Sequence, residues 1–305
     1  MTTTSRWSPP LTRGAAAGDT SEPLQLRSAV RIMWSRFRRS KTATVGLLLV
    51  CCLCVTAVLA EWLAPYGPYE VHVTESLARP GKAHPLGTDL LGRDVLSRLI
   101  HGSRISLYVG FTSILLAIFV GVPLGLMTGF YGGRLDTIVM RFMDVILAFP
   151  LYLLAIVLMV ILGPSTNNVI LALGIERIPI FARLVRGSVL SVRENPYIEA
   201  TQALALSPPR VLLRHVLPNC MAPILVTATL ATASAIIIEA TLSFLGLGTQ
   251  PPTASWGWDL KQNLTFLEMN PWIAVFPGLS IFLTVLGFNL LGDGLRDALD
   301  PRLKQ

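Results

Sequence analysis

The sequence predicts an all-α membrane protein built on six transmembrane helices, with an amphipathic external segment after the first. Three observations carry that expectation. Of 305 residues, 52% are hydrophobic and 14% charged, with a mean hydropathy of +0.59, which is not the profile of a soluble chain. Apolar runs of about 20 residues, the length a bilayer core requires, recur along the chain. Basic residues gather in blocks beside those runs, so the net charge of +7 reads as membrane orientation and not as a nucleic-acid surface.

Residues 1–41 form an expected cytoplasmic tail. Its first 22 residues are rich in Thr, Ser, Pro and Gly and are expected to be disordered. Arg27, Arg31, Arg36, Arg38, Arg39 and Lys41 then precede the first apolar run and should hold the N-terminus inside. Ile32, Met33 and Phe37 have the spacing of a short interfacial helix, with Trp34 at headgroup level. The first span, Thr42 to Leu63, is too long and too far along the chain for a cleaved signal peptide.

Residues 42–104 comprise that span and an external segment. Within it Leu90, Leu91, Val95, Leu96, Leu99 and Ile100 recur at helical spacing from Asp89 to His101, so an amphipathic helix should lie on the outer surface and stop at Gly102. Five further spans, Ile105–Phe130, Ile138–Leu162, Val169–Leu190, Ala222–Phe244 and Trp272–Leu291, would form a core over residues 105–293, leaving 294–305 as a second cytoplasmic tail. Pro150 and Pro277 should bend the third and sixth spans.

A charge at the bilayer centre costs about 2.5–3.5 kcal/mol and needs a partner or water. Arg141 and Asp144, three residues apart, can pair on one helical face. Glu239 and Arg177 lie at comparable depth on different spans. They either satisfy each other across the bundle, or Glu239 faces a wet cavity and the solute, which makes both candidates for a translocation path.

Between the fourth and fifth spans, residues 191–220 form a polar, helix-forming island. Asn195 is a good N-cap, Pro196 a good first helical residue, and Glu199 falls where the helix dipole favours a carboxylate. A second start follows at Ser207-Pro208. Two short helices carrying Arg193, Arg210 and Arg214 would make a basic cytoplasmic elbow, with Tyr197, Ile198 and Leu204 as apolar anchors for a partner's groove.

The chemistry of an enzyme is absent. No phosphate-cradling Gly-x-x-x-x-Gly-Lys-Ser/Thr run, no His-Glu-x-x-His and no Gly-x-Ser-x-Gly occurs. Cys51, Cys52, Cys54 and Cys220 lack the spacing of a zinc site or disulfide framework and read as packing residues. His72, His84, His101 and His215 are scattered and read as surface histidines, with no shared metal.

The order Glu199-Ala200-Thr201, with Val216-Leu217-Pro218 downstream, resembles the EAA loop of the membrane subunits of ABC importers. Ala205 stands where that loop usually has Gly, so the corner must be right-handed or turn at Ser207-Pro208. His84-Pro85-Leu86-Gly87-Thr88-Asp89 with Gly92-Arg93-Asp94, Leu242 to Gly248 with Pro251-Pro252, and Leu290 to Asp297 resemble the dipeptide, oligopeptide and nickel branch of that family. The resemblance implies a type I importer permease whose coupling helix, with Asn195, Tyr197, Ile198, Glu199, Ala200, Leu204, Ala205 and Arg210, docks on an ATPase. It also implies a homologous second permease, two ATP-binding subunits carrying ATP and Mg, an extracytoplasmic solute-binding protein, and no cofactor on this chain. The residues alone leave open an ion-driven secondary carrier, which the missing internal repeat disfavours.

Overall fold

The structure, a computed structural model, describes residues 37–38, 40–198 and 206–299. Helix dominates, and a single antiparallel bridge, Thr88 to Asp94, is the β-type pairing among the described residues. The helices are α1 (Lys41–Val58), α2 (Ala60–Leu63), α3 (Val95–Tyr131), α4 (Gly133–Leu147), α5 (Leu151–Leu162), α6 (Thr166–Arg193), α7 (Pro208–Leu245), α8 (Trp256–Asn263) and α9 (Trp272–Leu299).

By length and composition α1, α3, α7 and α9 can each cross a membrane, and α4 with α5 make a fifth span if the bent pair is one. Helix α6 has the length, at 28 residues, but Glu176, Arg177, Arg183 and Arg186 interrupt its apolar character. The fourth expected span therefore depends on packing inside the bundle, which its buried face supplies.

That packing is closest against α3. Gly121, Gly125 and Gly129 recur every four residues and face α6 so tightly that a Cβ at Gly125 would sit 2.5 Å from the Ala182 carbonyl oxygen. Small residues at this spacing let two backbones approach where lipid offers no hydrophobic drive to join them. Around this seam the main core gathers Val122, Leu126, Leu173, Phe181 and Val185 with Ile224 and Ile238 of α7.

Several boundaries differ from expectation. The amphipathic helix and the second span are one 37-residue helix, α3, roughly 55 Å long at 1.5 Å per residue. Gly102 does not stop it. The Trp256 ring rests on this glycine, where a Cβ would meet Cδ1 at 2.7 Å. Val95, Leu99 and Arg98 are buried, so the segment is a packed post and not a surface float. Helix α9 continues past Leu291 to Leu299, because Gly294 admits Ala43 of α1 and Ala298 packs with Phe37 and Ala43. The third span is broken: α4 and α5 meet at 87° beside Pro150, which caps α5. Pro277 lies buried inside α9. The N-terminal residues read as a tail and interfacial helix lie, apart from Phe37, Arg38, Ser40 and Lys41, outside the described residues.

Candidate functional site

The elbow begins where α6 ends. The Arg193 guanidinium donates to the Phe130 carbonyl at 3.1 Å, tying the end of α6 to that of α3. Asn195 turns its side-chain amide back to the Val192 carbonyl at 3.0 Å, closing the helix behind it. Tyr197 is 44% exposed, and its hydroxyl accepts from the Asn219 amide of α7 at 3.1 Å. Ile198 is fully buried in the core cluster that holds Val189, Val211, Leu212 and Val216. The chain's own helices enclose it here, whereas the sequence reading expected an exposed anchor.

Glu199, Ala200, Leu204 and Ala205 lie outside the described residues. Ser207, Pro208 and Arg210 are exposed. The second helix start is real but does not make a separate short helix: Pro208 opens α7, which passes through a π-helical turn at Leu212–Val216 into the fifth span. That turn leaves Leu213 63% exposed, an apolar contact that the sequence reading missed.

Near the same end α4 is strapped to α6. Arg186 donates to Asp136 through Nε at 2.5 Å and Nη2 at 2.7 Å, a bidentate fork. Asp144 takes Arg183 of α6, so the expected Arg141–Asp144 pair does not form. A carboxylate facing a neighbouring helix finds a better-placed guanidinium there than three residues away on its own.

Deeper in the bundle, Arg177 and Glu239 do not meet. Arg177 Nε lies 2.9 Å from Glu176 Oε2, and its Nη2 donates to Ser234 of α7 at 2.5 Å. Glu239 is five residues beyond Ser234, roughly 7.5 Å further along α7. There it is fully buried, and its Oε1 accepts from Ser243 at 2.8 Å, Ser255 at 3.1 Å and Thr249 at 3.5 Å. Thr249 also meets the Thr166 hydroxyl at the start of α6. Instead of lining a wet cavity in this conformation, Glu239 knots the loop between α7 and α8 onto the bundle.

The opposite end holds a charged cluster that sequence reasoning did not find. Asp89 accepts from the Arg93 side chain at 2.6 Å and from the backbone N–H of Leu91 and Arg93, both at 2.9 Å. Arg93 reaches Gln262 at 2.8 Å, and Arg98 reaches Asp259 at 3.0 Å, both on α8. His84 is 5% exposed, correcting its reading as a surface residue. Its Nδ1 lies 2.9 Å from Asp94, the N-cap of α3, and its Nε2 lies 2.8 Å from Glu75. A carboxylate only accepts, so two such contacts call for donors at both ring nitrogens, the imidazolium form. Burial alone would lower the His84 pKa, but the hydrogen bonds it donates to Asp94 and Glu75, with their negative charges, hold it above its ordinary value. The glycine and aspartate punctuation of this stretch thus builds a buried clamp joining the segment between α2 and α3 to α8.

Comparisons with known proteins agree with this architecture. A family model described as the binding-protein-dependent transport system inner membrane component matches residues 121–305, and one described as the N-terminal TM domain of oligopeptide transport permease C matches residues 28–80. The dipeptide transport system permease protein DppC of Alkalihalophilus pseudofirmus is 43% identical over 274 residues, 90% of each chain. The glutathione transport system permease protein GsiD of Pectobacterium atrosepticum is 45% identical over 280 residues, 92% of this chain and 93% of that one. Among solved structures, the inward facing MetNI methionine ABC transporter shares the fold, with a TM-score of 0.54 at 19% identity over 67% of this chain and 98% of that chain. A family model over more than half of the chain, joined by such relatives along nine tenths of it, means that the chain belongs to the binding-protein-dependent inner membrane components, the permease subunits of ABC transporters.

Proposed function

We propose that this permease imports dipeptides or a similar small peptide-like solute, with ATP hydrolysed on separate subunits. The observation that carries the solute class is the nearly full-length likeness to permeases named for dipeptides and for glutathione. Family membership removes the ion-driven secondary carrier. The working assembly has a homologous second permease, two ATP-binding subunits holding ATP and Mg, and an extracytoplasmic solute-binding protein. It sits in the lipid of a prokaryotic cytoplasmic membrane with both termini of this chain inside.

The elbow at residues 191–220 is the contact for the ATPase. Its exposed Tyr197, Leu213 and Arg210 face outward from a base packed into the core, which supports a role in transmission over one in solute recognition. Movement of the ATPases would press on the elbow and tilt α6 and α7 together, exposing the path on one side of the membrane and then the other. Arg177, Pro150 and Pro277 remain path candidates, and Glu239 holds the outer loop over it.

The test is ATP-dependent uptake of a labelled dipeptide by the intact complex in proteoliposomes, with Glu199→Lys as the variant. The sequence expects a helix start at Asn195-Pro196, where a cation is less favourable than a carboxylate, so uptake should be lost and the ATPases should co-purify less, while the chain still inserts. Normal uptake with bound ATPases would refute the elbow's role. An unsubstituted complex that holds its ATPases and takes up no dipeptide would refute the solute class alone.

A further inference from the structure

A cavity of about 350 Å3 opens between α1, α3 and α9 beneath Trp256. Leu49, Cys52, Leu53, Leu99, Phe276 and Leu283 are among its walls. Three of the four hydroxyls that line it are committed elsewhere: Thr56 donates to the Cys52 carbonyl at 2.8 Å, Ser103 to Ile100 at 2.6 Å and Ser280 to Phe276 at 3.0 Å. The Trp256 indole N–H is spent on the Leu99 carbonyl at 3.0 Å. Water entering would find few partners, and an apolar hole of even about 150 Å3 stays dry and takes an apolar guest.

Depth says which apolar guest is at hand. Trp62 and Trp272, 84% and 46% exposed, stand at the ends of the α1–α2 and α9 segments and mark the interfacial belt. Cys52 lies ten residues below Trp62, while Leu279 and Leu283 lie seven and eleven below Trp272. At 1.5 Å per residue these exposed lips sit roughly 10–17 Å below the belt, in the deep part of one leaflet and reaching about the midplane of the ~30 Å hydrocarbon core. The mouth therefore opens sideways onto acyl chains. The other apolar occupant at that depth, a helix of the second permease, is read out by the cross-link from Cys52 described below.

We propose that this cavity is a lipid site, holding the acyl chain of one phospholipid from the leaflet on the side of α8 and seating α1 against α3 and α9. The proposal rests on the family reading that these helices span the membrane. Filling the gap with a chain that can thread and exchange would let α1 pack on the bundle without a dry void between them.

The test uses the complete transporter in vesicles containing phosphatidylethanolamine with a photoactivated diazirine in mid-chain, with adducts mapped by mass spectrometry. Adducts are expected on residues 49–56 and 279–284 at higher density than on Phe119 and Ile161, which are 79% and 73% exposed. Ser280→Phe fills the cavity and should abolish the excess while leaving the Phe119 and Ile161 adducts, which report membrane insertion itself. Cys52→Phe at the mouth serves the same purpose if Ser280→Phe fails to assemble. Cavity adducts no denser than those controls, or unchanged in both variants, would overturn the proposal. So would a zero-length cross-link from Cys52 to the second permease in place of lipid. Loss of the control adducts would instead refute the spanning arrangement.

Discussion

Arg98→Met should unlock the segment between α2 and α3 from α8. The Arg98 side chain is 2% exposed; Nε donates to Asp259 at 3.0 Å, Nη2 bonds the same carboxylate and Nη1 donates to the Pro68 carbonyl at 3.1 Å. Methionine keeps much of the apolar stem but strands Asp259 without its main cation. Breaking a buried pair from one side costs about 3–5 kcal/mol. As a local opening equilibrium that is about 10²–10⁴-fold, since each ~1.4 kcal/mol is tenfold. The pH dependence has a definite sign. Burial already pushes the Asp259 carboxyl up, against the Arg98 and Arg93 charges that pull it down. Losing Arg98 moves it further up, so protonation relieves the stranded charge and the defect should be smaller at pH 5 than at pH 8. Hydrogen exchange of residues 64–94 in the assembled complex reads the opening directly. Arg98→Met with Asp259→Leu removes both charges and should recover most of the protection. A double variant as open as the sum of the singles would refute the clamp, as would a single variant with unchanged exchange.

Three other outcomes are expected. The His84 pKa is raised in the folded state, so its contribution is complete below its ordinary value of about 6.5 and is lost as pH rises through the folded value; exchange of residues 72–94 should accelerate as pH climbs through that window beyond the intrinsic rate, and His84→Gln should flatten the response, whereas an identical profile in the variant would dismiss the imidazolium. Gly125→Leu drives a side chain into the Ala182 carbonyl and should cost at least the ~1–3 kcal/mol of overpacking, read as lost assembly, while Gly187→Ala, with nothing within 4 Å of its Cβ, should assemble normally; equal tolerance would deny the α3–α6 seam. In a background lacking the native cysteines, Ser207→Cys should resist an impermeant thiol reagent in intact cells and Thr253→Cys should react, and the reverse pattern would invert the topology.

The spans were legible because an apolar run of bilayer length is a one-dimensional signal, and Pro150 marked the break in the third for the same reason. What stayed hidden was pairing across distance. Arg98 and Asp259 are 161 residues apart, and nothing local to either says that one satisfies the other. Arg177 and Glu239 looked like partners on depth alone, yet each had a nearer solution, Glu176 with Ser234 for one and three hydroxyls for the other. The Gly121-Gly125-Gly129 stripe was readable at its four-residue spacing and says where α3 meets a neighbour, but not which neighbour. His84 was misjudged because a histidine on a polar loop carries no sign of its burial.

The burial of Ile198 sharpens the role of the whole elbow. As an exposed anchor it would leave the elbow a loop that a partner grips and that could yield under load. Buried among Val189 at the end of α6 and Val211 and Val216 at the start of α7, it makes the elbow's base part of the close-packed interior. Such interiors transmit displacement instead of absorbing it. The Arg193 bond to the Phe130 carbonyl adds the end of α3 to the same block. A push at Tyr197 or Leu213 therefore moves three helix ends at once, and those helices run from the elbow to the Glu239 knot and the α3–α8 clamp. Ile198→Ala should accordingly leave ATPase binding intact, since its surface contacts are untouched, yet lower uptake per ATP hydrolysed. If Ile198→Ala instead releases the ATPases with coupling of the remainder unchanged, the residue is a docking contact after all and the rigid block is not how the elbow works.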